Sequence, residues 1–285
     1  MKFSKLLLLL VTPSFLLSSY TTHAENETRV QDLKFGACQS IQFDGNGYIV
    51  CSIEIGTHDL RMFHEKGEPG FWGPSVFGAF DEISGHLAPV GQKLTFAMNG
   101  GMYHRDRSAV GLYIADGTQS QSLNTNEGAG NFHLLPNGVF YWDKDQAGVK
   151  EANAFRDAEL KPTYATQSGP MLVIDGALHP RFIVNGTSLK MRNGVGVKQD
   201  GKTVYFAISA QPVNFESFGR LFRDHLKTPN ALFLDGGRAS HIFAPDLERN
   251  DNTERLGPII AVVEQIVEPG LSSNAGEGAA TGTQP

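Results

Sequence analysis

Apolar positions in this chain fall in short blocks, and most blocks are closed by a turn-forming dipeptide. Blocks at 60–63, 93–98, 110–114, 163–167, 171–174, 203–208, 232–234 and 258–267 are too short for helices and rich in β-branched and aromatic residues, so they predict strands. Asp44-Gly45, Asp116-Gly117, Asp175-Gly176 and Asp200-Gly201 predict the turns between them. Pro136-Asn137-Gly138 is expected to close a hairpin between a strand starting at 131–134 and a return strand at 139–142. Residues 64–73, with Gly67, Pro69, Gly70 and Gly73, read as loop. Two stretches have helical spacing. Val76, Phe77, Phe80, Ile83 and Leu87 share a face, as do Phe215, Phe218, Leu221, Phe222 and His225, the latter after Asn214 as N-cap and before the stop at Pro229. Residues 151–161 read as a connection or short helix. The pattern predicts an α+β fold, a single domain with a mostly antiparallel, twisted β-sheet core and a few packed helices.

Within this pattern one stretch concentrates chemistry. Leu232-Phe233-Leu234 reads as a buried strand that delivers Asp235 to its end, and Gly236-Gly237-Arg238-Ala239-Ser240 follow at once. Glycine permits close backbone approach, and paired amides can form a nest for an anion. A second stretch has the same layout: Phe96-Ala97-Met98 runs into Asn99-Gly100-Gly101-Met102-Tyr103, then His104, Arg105 and Arg107. Arg192, before the glycine-bearing strand 193–197, suits a phosphate clamp or a plain surface arginine. Ser168-Gly169 ends another strand. No Gly-x-Ser-x-Gly elbow surrounds Ser168, which points to hydrogen bonding rather than nucleophilic attack.

Charge and cysteines narrow the setting. The formal charge is −6, and loss of a leader carrying Lys2 and Lys5 but no acid leaves −8. This argues against a nucleic-acid partner. Met1 to Lys5 reads as a basic n-region, 6–17 as an apolar h-region, and Thr22-His23-Ala24 as a cleavage site, so residues 1–24 are expected to be a signal peptide. The alternative, a membrane anchor, conflicts with so short an apolar run, and no stable membrane insertion is expected after cleavage. A two-residue turn at Asp44-Gly45 sets Phe43 opposite Asn46 and Cys38 opposite Cys51, about 4.5 Å apart at a non-hydrogen-bonded pair. That suits a disulfide in an oxidising compartment. A four-residue turn over 44–47 would miss by two positions without a bulge, and two reduced thiols are the competing reading. Export to the periplasm or medium follows from leader and disulfide together. Residues 269–285, small and polar, read as a disordered tail, which leaves 25–268 as the domain.

Several chemistries are excluded by spacing. There is no Cys-x-x-Cys, His-Glu-x-x-His or EF-hand loop, so no metal and no cofactor is expected. The Gly-Gly stretches match neither a P-loop nor a dinucleotide fingerprint.

Taken in order, Phe-Ala-Met-Asn-Gly-Gly-Met-Tyr at 96–103, Val-Gly-Leu-Tyr at 110–113, Gln-Ser-Gly-Pro-Met-Leu-Val-Ile-Asp-Gly at 167–176, Arg-Asn-Gly-Val-Gly at 192–196 and Leu-Asp-Gly-Gly at 234–237 resemble the phosphodiester glycosidase family. That family includes the lysosomal "uncovering enzyme", N-acetylglucosamine-1-phosphodiester α-N-acetylglucosaminidase, and many exported bacterial proteins. The chain is most similar to the bacterial branch with a Cys-Cys hairpin, 131–140 and Pro-Val-Asn-Phe at 212–215. Many relatives carry a Gly- and Ser-rich run after Leu-Asp-Gly-Gly, where this chain has Arg238-Ala239. The resemblance implies hydrolysis of a sugar-1-phosphodiester to free sugar and a phosphate monoester. It implies Asp235 as nucleophile, general base or stabiliser of an oxocarbenium-like centre, with Glu127 and Glu216 as candidates for a second carboxylate. Arg192, helped by Arg107 or Arg238, would take the phosphate. Asn99, Gly100, Gly101, Ser168, Gly169, Gly236, Gly237 and Ser240 would orient sugar or phosphate oxygens. The rival reading is a non-catalytic periplasmic glycan- or phosphoglycan-binding protein in exopolysaccharide assembly.

Overall fold

The computed structural model describes Lys34 and residues 36–70 and 73–267. The expected leader, 1–24, and the expected tail, 269–285, lie outside those residues. The predicted α+β class holds: antiparallel sheets dominate and short helices cover them.

A seven-stranded sheet forms the centre. Its order is β1 (Cys38–Phe43), β2 (Asn46–Glu54), β15 (Thr203–Ser209), β14 (Asn193–Val197), β16 (Asn230–Phe233), β12 (Met171–Ile174) and β13 (Ala177–Leu178). A second sheet runs β10 (Ala147–Glu151), β9 (Gly138–Trp142), β11 (Tyr164–Ser168), β7 (Tyr113–Ala115) and β8 (Thr118–Gln121). The third runs β18 (Arg249–Asn250), β17 (Ile242–Ala244), β6 (Gln92–Asn99), β19 (Ile259–Gln265) and β3 (Asp59–Phe63). A separate hairpin, β4 (Glu65–Gly70) with β5 (Gly73–Val76), occupies the stretch expected to be loop.

The period-2 alternation of each strand divides its side chains between two cores. On β15, Val204, Phe206 and Ile208 enter one buried cluster, and Tyr205 and Ala207 enter another. The first cluster is common to all three sheets, joined by Phe96, Met98, Ile260 and Val262 from the third and Phe140 and Trp142 from the second. The outer face of each sheet has its own helix. α3 (Phe215–Arg220), continued by a π-helical turn over 221–225, sets Phe218, Leu221 and Phe222 on the seven-stranded sheet. α1 (Phe80–Leu87) covers the third sheet with Phe80, Ile83 and Leu87, and Phe155 of α2 (Ala152–Asp157) covers the second.

The predicted helix 76–87 therefore starts late. Val76 ends β5, and Phe77 donates its backbone N–H to the His64 carbonyl rather than starting a helical turn. Asn214 caps α3 as predicted, its side chain accepting from the Ser217 N–H at 2.8 Å. The hairpin expected at Asn137-Gly138 is absent. Residues 131–133 form a 3-10 turn, and β9 pairs with β10 and β11 instead. Asn137 is fully buried, donating to the Phe132 carbonyl at 3.2 Å and accepting from the Gln167 side chain at 3.2 Å. Here a buried polar network uses the residue that local turn chemistry would have put at the surface.

Phe43 pairs with Asn46 and Cys38 with Cys51, and the disulfide is formed across a Cα–Cα distance of 4.0 Å. It ties an edge strand to its neighbour and closes a short loop. Replacing both cysteines by serine is expected to cost about 2–3 kcal/mol in urea unfolding. An equal loss on reduction of the wild type would assign the effect to the bond rather than to the new hydroxyls. Among the described residues, no helix is long and apolar enough to cross a membrane.

Candidate active site

The ends of strands from all three sheets meet at one end of the common core. β6 ends in Asn99, β16 runs out through Leu234 to Asp235, β14 begins at Asn193, β17 begins just after His241, and β11 ends in Ser168. Asn99 is the junction. It is wholly buried, and its Nδ2 donates to the Asp235 backbone carbonyl at 2.7 Å. Its Oδ1 accepts from Asn193 Nδ2 at 2.5 Å and from the His241 N–H at 3.0 Å. Backbone bonds tighten the same knot: Asp235 N–H to the Gly100 carbonyl at 3.3 Å and Leu234 N–H to the Asn193 carbonyl at 3.1 Å. The two Gly-Gly stretches picked out in the sequence are thus brought side by side.

The glycines do not form the expected anion nest. Gly100 N–H donates to the Pro258 carbonyl, Gly101 N–H to Thr166 Oγ1 at 3.1 Å, and Gly237 N–H to the Met191 carbonyl at 2.9 Å. The Gly236 N–H supports Asp235's own carboxylate. The role of these glycines is close approach. A Cβ at Gly101 would lie 2.2 Å from the Gln167 carbonyl oxygen, one at Gly236 would lie 2.3 Å from the Phe233 ring, and Gly237 has φ of 64°. Gly169 likewise admits the Phe132 carbonyl, 2.7 Å from where its Cβ would stand.

Asp235 is the distinctive group. Burial pushes its carboxyl up from an ordinary 3.8 to about 7, against a smaller opposing effect of the Gly236 amide, with no cation offsetting it. Its negative field in turn raises the Tyr103 phenol, whose first cause is burial and which also feels Glu254. Tyr103 donates to the Arg255 carbonyl at 3.3 Å, and Gly257 leaves room for its ring.

An acid raised in the folded state destabilises that state wherever it is ionised. The penalty is absent below about pH 4, grows between there and about pH 7, and is complete above. Some three pH units correspond to at most about 4 kcal/mol, and about 2 kcal/mol remains once relaxation and water access are allowed for. Asp235→Asn is therefore expected to be more stable than wild type at pH 8, with the difference shrinking towards pH 4. Denaturant melts across that range check it.

The other predicted residues divide. Ser168 is buried and its hydroxyl has no partner among the described residues, and Asn193 Oδ1 and His241 Nδ1 are similarly unsatisfied there. Ser240 is half-buried, with Oγ donating to the Met191 carbonyl at 3.4 Å. Arg107 donates to the Arg255 carbonyl and lies 5.4 Å from the Tyr103 ring centroid. Arg238 is exposed and ion-paired with Glu254.

Arg192 is not a surface arginine. It is 1% exposed, and burial alone pulls its guanidinium down to about 10. Nε donates to the Val213 carbonyl at 2.8 Å and Nη2 to the Ser188 carbonyl at 3.0 Å. The guanidinium is 3.5 Å from the Phe215 ring centroid and 5.5 Å from that of Phe233. Phe233 touches Gly236, so one ring separates Arg192 from the Asp235 loop. Glu216 is buried on α3, 3.8 Å from Arg220, and Glu127 lies on an exposed loop. Neither accompanies Asp235 electrostatically, whereas Glu254 shares its influence on Tyr103.

Tyr103, Asn193, His241 and Glu254 were missed as site residues. The first two sit inside the Met-Tyr and Arg-Asn-Gly motifs, close to Gly101 and Arg192. Nothing local singled out His241 or Glu254.

Three comparisons bear on the chain. Residues 92–263 match the model of the phosphodiester glycosidase family. An uncharacterised protein of Escherichia coli K12, YigE, is 36% identical over 187 residues, which span 66% of this chain and 70% of that protein. The catalytic domain of zebrafish N-acetylglucosamine-1-phosphodiester α-N-acetylglucosaminidase, auto-inhibited by its pro-peptide, superposes with a TM-score of 0.54 at 15% identity, covering 79% of this chain and 81% of that one. A hypothetical protein from Synechocystis gives 0.52 at 13% identity, covering 79% of this chain and 61% of that one.

Proposed function

Because the chain belongs to the phosphodiester glycosidase family, we propose that it cleaves the bond between the anomeric carbon of a sugar and a phosphodiester oxygen. Water supplies the hydroxyl, the free sugar is released, and the phosphate monoester stays on the other partner. The observation that carries this reading is Asp235, a half-buried carboxyl at the meeting point of three sheets with its proton equilibrium near neutrality. A phosphate monoester is a stable leaving group and needs little protonation. The demand therefore falls on a base for the attacking water, and a base titrating near the working pH serves best. Ionised Asp235 takes that proton and opposes the positive charge that builds at the anomeric carbon.

Ser168 Oγ and Asn193 Oδ1, unsatisfied and buried at the same strand ends, reach sugar hydroxyls through a bridging water. Arg192 keeps Nη1 without an acceptor among the described residues and, at the edge of Phe233 next to the Asp235 loop, takes the phosphate. The Cys38–Cys51 disulfide and the leader-like N-terminus support action outside the cytoplasm.

The test is sugar release from a panel of sugar-1-phosphodiesters, α-linked N-acetylglucosamine included, by wild type and Asp235→Asn. Release that disappears in the variant supports hydrolysis. Ligand-induced stabilisation of the wild type without turnover on any member would replace it with the glycan-binding reading.

A further inference from the structure

Arg192 lines a cleft of about 250 Å³ whose lining does not include Asp235. Its floor is a continuous stack. Arg192 lies on Phe215, Phe215 on Phe182 at 5.1 Å and 7°, and Phe182 on His179 at 4.9 Å and 25°. Leu134 forms a wall and Ile183 the rim. Ile183 stands 75% exposed at that rim, and Val184, next to it in the chain, is 71% exposed.

They are held out by a built turn. Asn185 has φ of 55°, Gly186 N–H bonds back to the Ile183 carbonyl at 3.0 Å, and Asn214 Nδ2 fixes the Gly186 carbonyl at 2.9 Å. The charge balance of the cleft is positive. Among the described residues no carboxylate lies within ion-pair distance of Arg192, Arg181 joins it on the lining, and the one acid there, Glu216, is paired with Arg220. A buried guanidinium without a counter-charge is costly unless an anion arrives to pair with it.

We propose that this cleft receives the non-sugar half of the substrate, and that this half is an apolar alcohol esterified to the phosphate, of alkyl or isoprenoid type. The assignment rests on the phosphodiester reading above: with the sugar at Asp235 and the phosphate at Arg192, the ester chain emerges over Phe182 and Phe215 towards Ile183 and Val184. Of the polar side chains on the lining, Asn214 and Glu216 are already engaged, which leaves Arg181, Thr187 and Ser188 beside the aromatic stack. A hydrocarbon chain would cover apolar surface that otherwise faces water.

The test uses the product half alone, so that it does not depend on turnover. Methyl phosphate and hexyl phosphate are titrated calorimetrically into the intact mature protein at pH 7.5. Hexyl phosphate is expected to bind at least about tenfold tighter, since several methylenes leave water. The double variant Ile183→Ser, Val184→Ser alters only exposed side chains. It should bring hexyl phosphate to within about threefold of methyl phosphate and leave methyl phosphate binding unchanged. Equal binding of the two phosphates by wild type, binding of neither, or a preference that survives in the double variant would each overturn the proposal. A preference lost in the variant, in a protein that hydrolyses no sugar phosphodiester, would keep the cleft assignment and remove the catalytic one. Hydrolysis of a sugar methyl phosphodiester with no chain-length preference would do the reverse.

Discussion

Asp235→Asn is expected to lower kcat/KM for sugar-phosphodiester hydrolysis by at least about 10³-fold, because a base and a transition-state charge are removed together. Asn matches Asp in shape and leaves the backbone bonds of the strand-end knot intact, so the loss should appear without loss of structure. The wild-type pH profile provides the second half of the test. Asp235 must be ionised to act as base, and burial holds it protonated up to about pH 7. Rate should therefore rise through that value and fall about tenfold per unit on the acid side. A rate that instead declines above pH 7 would make Asp235 a proton donor, and a flat profile would take it out of the chemistry. The cost of keeping this carboxyl poised is borne by the fold, which is why the same substitution should make the protein more stable at pH 8.

The elements with an unbroken local signal were legible in advance. β12 and β16 are apolar blocks, and α3 has its cap, stripe and stop in the sequence. Counting outward from a two-residue turn at Asp44-Gly45 sets Cys38 opposite Cys51, and the sheet chose that turn over the four-residue alternative at 44–47. Elements whose state depends on distant partners were not. Gly-rich residues 65–70 and 73–76 pair as strands, and Asn137-Gly138 has the composition of a turn but is recruited into a buried network with Gln167 from another strand. The site behaved the same way. Asp235 and Asn99 were visible as polar residues at the ends of apolar blocks, and the paired glycines were visible beside them. Their purpose was misjudged, because whether an amide is free depends on carbonyls such as those of Pro258 and Met191, far away in sequence. Arg192 shows the limit most clearly. Its burial under Phe215 and Phe233 is set by the packing of α3, and no local pattern reports it.

Asn99→Ala should be the most damaging single change to the fold near the site, about 3–5 kcal/mol in urea unfolding. Four side-chain hydrogen bonds would vanish at once, to the Asp235 and Gly100 carbonyls, from Asn193 Nδ2 and from the His241 N–H, all in a fully buried place. Each orphaned group would then carry its own desolvation cost, about 1–3 kcal/mol, and the sum is reduced because the four share one cavity that water can enter. The comparison that isolates the effect is Asn214→Ala, which removes a single helix cap and should cost about 1 kcal/mol. Asn99→Asp separates geometry from charge. It keeps both acceptor bonds, loses the donor to the Asp235 carbonyl, and buries a second carboxyl in the same knot. Its stability should fall further as pH rises, since ionising that carboxyl there is opposed by burial and by Asp235 together. If both Asn99 variants melt like wild type at every pH, the three sheets are not held at this junction, and the common core alone sets the position of Asp235.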